Sequence, residues 1–207
     1  MSLRRLSLTF FATALLSSSL AAQEPASAPA DEPDFGLRLS DAALERTKHR
    51  VRYDGSYHRL AYPGGDVPAN IGVCTDVVIR SYRSLGIDLQ VEVHEEMRAH
   101  FGAFPKNWGL TRPDRNIDHR RVPNLRVFFT RQGEKLPVTR RGSDYLPGDL
   151  VTWTVGGRLP HVGIVVDRRS RDGERPLIVH NIGAGPKLED VLFEYPITGH
   201  YRYAPER

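Results

Sequence analysis

The chain has 207 residues, a formal net charge of +4, 40% hydrophobic and 26% charged residues, and a single cysteine. One thiol excludes a disulfide within the chain, so the fold must hold through its core alone. The basic surplus comes without a Lys/Arg run interleaved with aromatics. No nucleic-acid partner is therefore expected, and the surplus suits either anionic polymer surroundings or simple solubility.

Arg4 and Arg5 precede an apolar stretch, residues 6–20, that ends in Ser19-Leu20-Ala21. This pattern predicts a signal peptide over residues 1–21, cleaved on export. The stretch is too short to span a bilayer and no other run is long and apolar enough, so no membrane span is expected. The mature protein is expected to be periplasmic or secreted. Residues 22–34 contain QEPASAPADEP, which cannot bury a core and predicts a disordered linker. One domain is left over residues 35–207, with 27 basic against 21 acidic side chains after Asp34. Its length suffices for a real hydrophobic core.

The first predicted helix runs from Leu39 with Ser40 as N-cap and Ala42, Leu44 and Val51 on its apolar side. Tyr62-Pro63-Gly64-Gly65-Asp66 is a turn. In residues 72–86, Cys74, Val77, Val78, Ser81, Tyr82 and Leu85 recur at three and four residues, which predicts a helix closed by Gly86 at C′. Residues 91–101 predict another helix, and residues 105–123, rich in Pro, Asn, Asp and Arg, a long ordered loop. Loops of that length in compact domains are often functional. LRVFFT, from Leu125, reads as a strand. Beyond it the period becomes that of strands, at 149–155, 161–167 and 176–181, joined by Gly-containing turns into an antiparallel meander. Helices first and a sheet second make an α+β fold.

Cys74 falls in the first turn of its helix, where free N–H groups and the helix dipole stabilise an anion and lower a thiol's pKa from about 8.5. A lone thiol is otherwise a small buried hydrophobe, and the two readings stand side by side. His161 opens a strand and shares a face with Gly163 and Val165. His180 lies near the end of the next strand, within reach of it. A thiol, an imidazole that holds it as thiolate and protonates the leaving amine, and a third group that orients the imidazole form a nucleophilic triad. Cys74, His161 and His180 fit these roles in order, with Asn181 as rival for the third.

These residues resemble the NlpC-type papain-like cysteine peptidases, secreted bacterial enzymes that cut peptide or amide bonds in peptidoglycan. Four pieces occur in the family's order. Tyr62-Pro63-Gly64-Gly65 resembles its tyrosine and double-glycine turn, and Cys74 with LGIDL (85–89) its nucleophile helix. PGDLVTW and HVGIVV are similar to its two signature strands, and His180 in IVHN falls at its third catalytic position. More closely, residues 62–201 resemble exported bacterial proteins grouped as a domain of unknown function related to that superfamily. The resemblance implies a papain-like fold, N-terminal helices packed on a C-terminal antiparallel sheet, and a Tyr62 that assists the Cys74 N–H in binding an oxyanion. The superfamily usually has Asp before the cysteine, to hold a free amino terminus, and Ser-Gly after it. Here Val73 precedes and Thr75-Asp76 follow, so Asp76 either substitutes in substrate binding or caps the helix.

Other residues allow two readings. In Asp118-His119-Arg120-Arg121, His119 and the arginines either grip an anionic group or hold the loop together by ion pairs. Trp108 either stacks on a sugar or anchors the loop by packing. Glu95 and Glu96 read as a solvated helix face. His94 and His100, six apart, are rotated about 240° from each other and share no face. No H-E-x-x-H occurs and no metal or cofactor is called for. A zinc site gathered from His161, His180 and a distant acid is the one metal alternative. The expected activity is a cysteine hydrolase acting on peptidoglycan or another envelope polymer through a Cys74 thioester. An acyltransferase with the same triad and a noncatalytic envelope-binding module are the alternatives. The oligomeric state has no signature in the sequence.

Overall fold

The computed structural model describes residues 34–205. They belong to one compact unit, Pro33–Arg207. The signal peptide expected at 1–21 and all but the last residue of the linker expected at 22–34 lie outside the described residues.

Helix α1 is Phe35–Arg46. It begins four residues before Leu39, and Ser40 is not its cap. Buried inside the helix, the Ser40 hydroxyl accepts the Asp167 N–H at 2.8 Å and ties α1 to the sheet. Two short strands follow, β1 (Arg52–Tyr53) and β2 (Ile71–Gly72), paired in parallel. Helix α2, Cys74–Ser84, buries Cys74, Val77, Val78, Ser81 and Tyr82, the stripe read from the sequence. It ends as the sequence predicts. Gly86 has φ +80°, its N–H reaches Arg83 O at 2.9 Å, and Ile87 N–H reaches Tyr82 O at 3.1 Å, a Schellman closure.

Asp88 caps helix α3, Leu89–Ala99, by accepting Gln90 N–H. Residues 105–121 then form the expected connection, with single 3-10 turns at Asn107–Gly109 and Asp118–Arg120. The strand expected at Leu125 is a helix, α4, Val122–Gln132. Pro123 in its first turn is preset for helix geometry, and Val122, Leu125, Phe128 and Phe129 recur on one buried face. Aromatic and β-branched content suggested a strand, and the spacing prevailed over it.

The sheet has six strands: β3 (Glu134–Leu136), β4 (Leu150–Val155), β5 (Leu159–Arg169), β6 (Pro176–His180), β7 (Lys187–Glu189) and β8 (Ile197–Arg202). Their spatial order is β3-β8-β4-β5-β6-β7, with every neighbour antiparallel. The expected meander is its centre. Strands β3, β7 and β8 extend it. Alternation gives the sheet two buried faces. Leu150, Val162, Ile164, Val166 and Val179 join Cys74, Val78 and Phe129 in the main core. Val151, Trp153, Val165 and Ile178 pack with Tyr145 and Leu192 on the opposite side. Both cores lie in an α+β architecture.

Asp149, at the start of β4, is fully buried and holds the sheet's other end together. It accepts from His200 Nε2 at 2.8 Å, from Arg202 at 2.8 and 3.0 Å, and from the Leu146 N–H at 2.9 Å. Removing one partner of a buried network leaves the others unpaired. Asp149→Ala should therefore cost about 3–5 kcal/mol in urea unfolding. A loss below about 1 kcal/mol would show that the network is only surface-like in strength.

Candidate active site

Cys74 is the first residue of α2, reached through the extended Val73. The helix start is fixed from both sides. Asp76 turns back so that its Oδ2 accepts the Val73 N–H at 2.7 Å. The same carboxylate takes Arg120 Nε at 2.8 Å and Nη2 at 2.9 Å, and both side chains are buried. Thr75 Oγ1 donates to Arg120 O at 3.1 Å, which pins the 3-10 turn to α2. Asp76 is thus the helix cap and Arg120 its ion-pair partner, one of the two readings of each from the sequence; the substrate-binding alternative falls for both, because the bidentate pair leaves neither side chain free.

His161 and His180 meet as expected. His161 Nε2 lies 2.9 Å from His180 Nδ1, with the rings nearly perpendicular at 5.1 Å. Gly163 permits this. It pairs with His180 across β5 and β6, and a Cβ there would come within 2.6 Å of Ile178 Cγ2 and 3.1 Å of His180 Cβ. Trp153 packs against His161 at 5.9 Å on the same face. A residue the sequence did not reveal stands behind the pair. Glu189 Oε2, on β7, is 2.8 Å from His180 Nε2, although the N–H does not aim squarely at it, so the attraction is more electrostatic than directional.

The carboxylate sets the tautomers. It favours a proton on His180 Nε2, which makes His180 Nδ1 an acceptor and puts the His161 proton on Nε2. His161 Nδ1 is then left with its lone pair, the form a general base needs.

The thiol itself differs from expectation. Cys74 is only 5% exposed, and burial pushes its pKa up to about 11, against the lowering effect of the Val162 N–H on the sulfur. Burial outweighs the helix terminus. No hydrogen bond joins Sγ to His161 among the described residues; the nearest backbone donor is one residue further along β5. Val162 faces the helical core with Cys74, whereas His161 faces Trp153, and β5 pairs with β6 only from Gly163 onward. Burial, and then the His180 charge, lower the His161 pKa to about 3, and burial also lowers that of His180. At neutral pH, thiol and imidazole are both uncharged.

The remaining candidates separate. Tyr62 donates to Glu95 at 2.9 Å and edges onto His94 on α3, so its hydroxyl is engaged away from the expected oxyanion role. Tyr53, on β1 beside Gly72, is the phenol whose pKa the Cys74 charge helps raise; burial is the larger cause and the value is about 12. Asn181 donates to Gly72 O at 3.4 Å and accepts Gly183 N–H at 3.1 Å, steadying the approach to Cys74. His119 is buried, with its pKa pushed down to about 4 by burial and by Arg120. It cannot reach a ligand from there. Trp108 is not a packed anchor: it is 61% exposed at φ +64°, with the Arg121 guanidinium 4.2 Å over its ring. Glu95 is solvated as expected, but Glu96 is buried against Arg131 and Gln132.

These features define an α+β protein in which a buried thiol at a helix start flanks a histidine pair backed by a carboxylate. The chain belongs to the family described as Domain of unknown function (DUF1287), which it matches over residues 40–203. It is 49% identical over 172 residues, 83% of each chain, to the Uncharacterized protein YijF of Escherichia coli (strain K12).

Two measurements check the uncharged resting pair. Iodoacetamide labelling of Cys74 should be slow from pH 6 to 8 and rise toward about pH 11, whereas in urea it should follow an ordinary thiol. Fast labelling of the folded protein at pH 6 would contradict this. A histidine with a lowered folded pKa adds stability that is complete above its unfolded value of 6.5 and is lost as pH falls toward 3. From pH 7 to 5 the wild type should lose about 2 kcal/mol more than His161→Gln. Asp118, raised to about 6 by burial, works the other way in both proteins and cancels in the difference.

Proposed function

We propose that the protein is an exported cysteine hydrolase of papain-like, NlpC-type architecture that cleaves an amide or peptide bond in the bacterial envelope, with peptidoglycan as substrate. The observation that carries the proposal is the His161, His180, Glu189 series, with the Cys74 sulfur against the backbone N–H of Val162, the residue after His161. The His161–His180 contact is 2.9 Å and the His180–Glu189 contact 2.8 Å. Buried histidines in series with a carboxylate are costly for a core unless they serve to move a proton.

In the proposed reaction, His161 Nδ1 takes the thiol proton as Sγ attacks the carbonyl carbon. The carbon–nitrogen bond then breaks, and the imidazolium returns the proton to the leaving amine. Water, deprotonated by the same imidazole, hydrolyses the thioester. His180 and Glu189 stabilise the transient imidazolium. Sγ and Nδ1 have to come together when substrate binds, since catalytic hydrogen bonds are often unformed in the free enzyme. Tyr53, protonated at every working pH by virtue of its pKa near 12, is the phenol available to donate to the oxyanion.

The closed, neutral thiol favours one competing reading, a noncatalytic envelope-binding module that keeps the fold. Purified mature protein incubated with peptidoglycan sacculi separates the two. Wild type should release soluble fragments, Cys74→Ala none, and Glu189→Gln should lower kcat on the order of 100-fold with KM little changed. Equal release by wild type and Cys74→Ala would sink the nucleophile assignment. Binding to sacculi without release by any variant would favour the module.

A further inference from the structure

A cavity of about 330 Å³ runs along the side of α2 next to the thiol. Its wall includes Gly72 and Val73, which precede Cys74, and Asn181, which follows His180. That volume suits one substituent of a ligand rather than a polymer chain. The rest of the wall is largely apolar, and its guanidinium groups are Arg46 from the end of α1 and Arg80 and Arg83 from α2.

Their charges are incompletely matched. Asp76 lines the cavity but is neutralised by Arg120. Asp66 is shared, at 2.9 Å from Arg80 and 3.1 Å from Arg83. Arg80 also donates to the carbonyls of Val67 and Pro68 and is satisfied. Arg83 donates to Gly65 O at 2.9 Å and adds a longer contact to Asp88 at 3.7 Å. Arg46 donates only to His49, at 2.8 Å, among the described residues. The Nε atoms of Arg46 and Arg83 are buried without an acceptor. Orphaned buried donors are rare and point to a missing acceptor. Burial, and then the Arg80 charge, lower the Arg46 pKa, as expected for cations gathered without enough anions.

We propose that this cavity is a carboxylate subsite, in which Arg46 and Arg83 hold an acidic group of the ligand whose amide bond meets Cys74. A planar carboxylate matches the guanidinium fork and supplies the acceptors the two Nε atoms lack. The placement rests on the hydrolase reading. The chemistry of the cavity does not. Selectivity follows from it: the two acids on the wall, Asp66 and Asp76, are already paired with arginines, so the site selects an acidic group over a free amine.

The test is a titration followed by NMR on the mature Cys74→Ala protein, with N-acetyl-alanyl-alanine and its carboxamide as probes. The acid should bind at least tenfold more tightly than the amide. Arg46→Gln should abolish that preference, Arg46→Lys should keep part of it, and Arg141→Gln, an exposed pair elsewhere, should leave it intact. Equal binding of acid and amide, or a preference that survives Arg46→Gln, overturns the subsite. No turnover is involved, so loss of the acid preference and loss of sacculus cleavage are separate failures.

Discussion

The buried pair between Asp76 and Arg120 is the contact on which the site depends. One carboxylate closes the first turn of α2 through the Val73 N–H and anchors the long connection through the guanidinium. The position of Cys74, the descent of residues 105–121 onto α2 and the start of α4 are consequences of that one ion. An ion pair so deep costs desolvation on both sides and is retained only when its geometry is near ideal. Here the bidentate contacts and the third donor from the backbone supply that geometry. The same pairing neutralises the Asp76 carboxylate on the wall of the neighbouring cavity.

Two opposing effects act on the sulfur. The helix start favours an anion and burial disfavours it, and burial wins in the free protein. Charge separation between Sγ and His161 is thus uphill until a ligand changes the surroundings. An uncharged sulfur is also a poor target for oxidants. The imidazole is governed by the same physics. With its partner histidine and a carboxylate behind it, it has the correct tautomer before it has a charge.

Much of this was legible in the sequence, and the illegible parts have a common cause. Helix α2 and strands β4 to β6 follow from periodicity, Gly86 and Gly-containing turns, because each element buries a whole face. Helix α4 was misread, since Val127, Phe128 and Phe129 look like a strand by residue type. Pro123 and the Val122, Leu125, Phe128 spacing carried the correct signal. That His180 rather than Asn181 faces His161 follows from alternation along β5 and β6. Tyr53 and Glu189 could not be found, as each lies on a strand of two or three residues whose pairing is set by the tertiary fold. The thiol's elevated pKa was equally hidden. Helix position can be read from a sequence, but the depth of burial that overrides it cannot.

Strand β7 carries Glu189 at the outer edge of the sheet and is three residues long. Short margins fray at far lower free energy than the centre of a sheet. The anion that orients His180 is therefore mounted on the part of the domain most easily peeled away. A chain could keep its cores, melt cooperatively at its normal temperature and still have lost the His180–Glu189 contact, so heat resistance and the order of the histidine pair need not decline together.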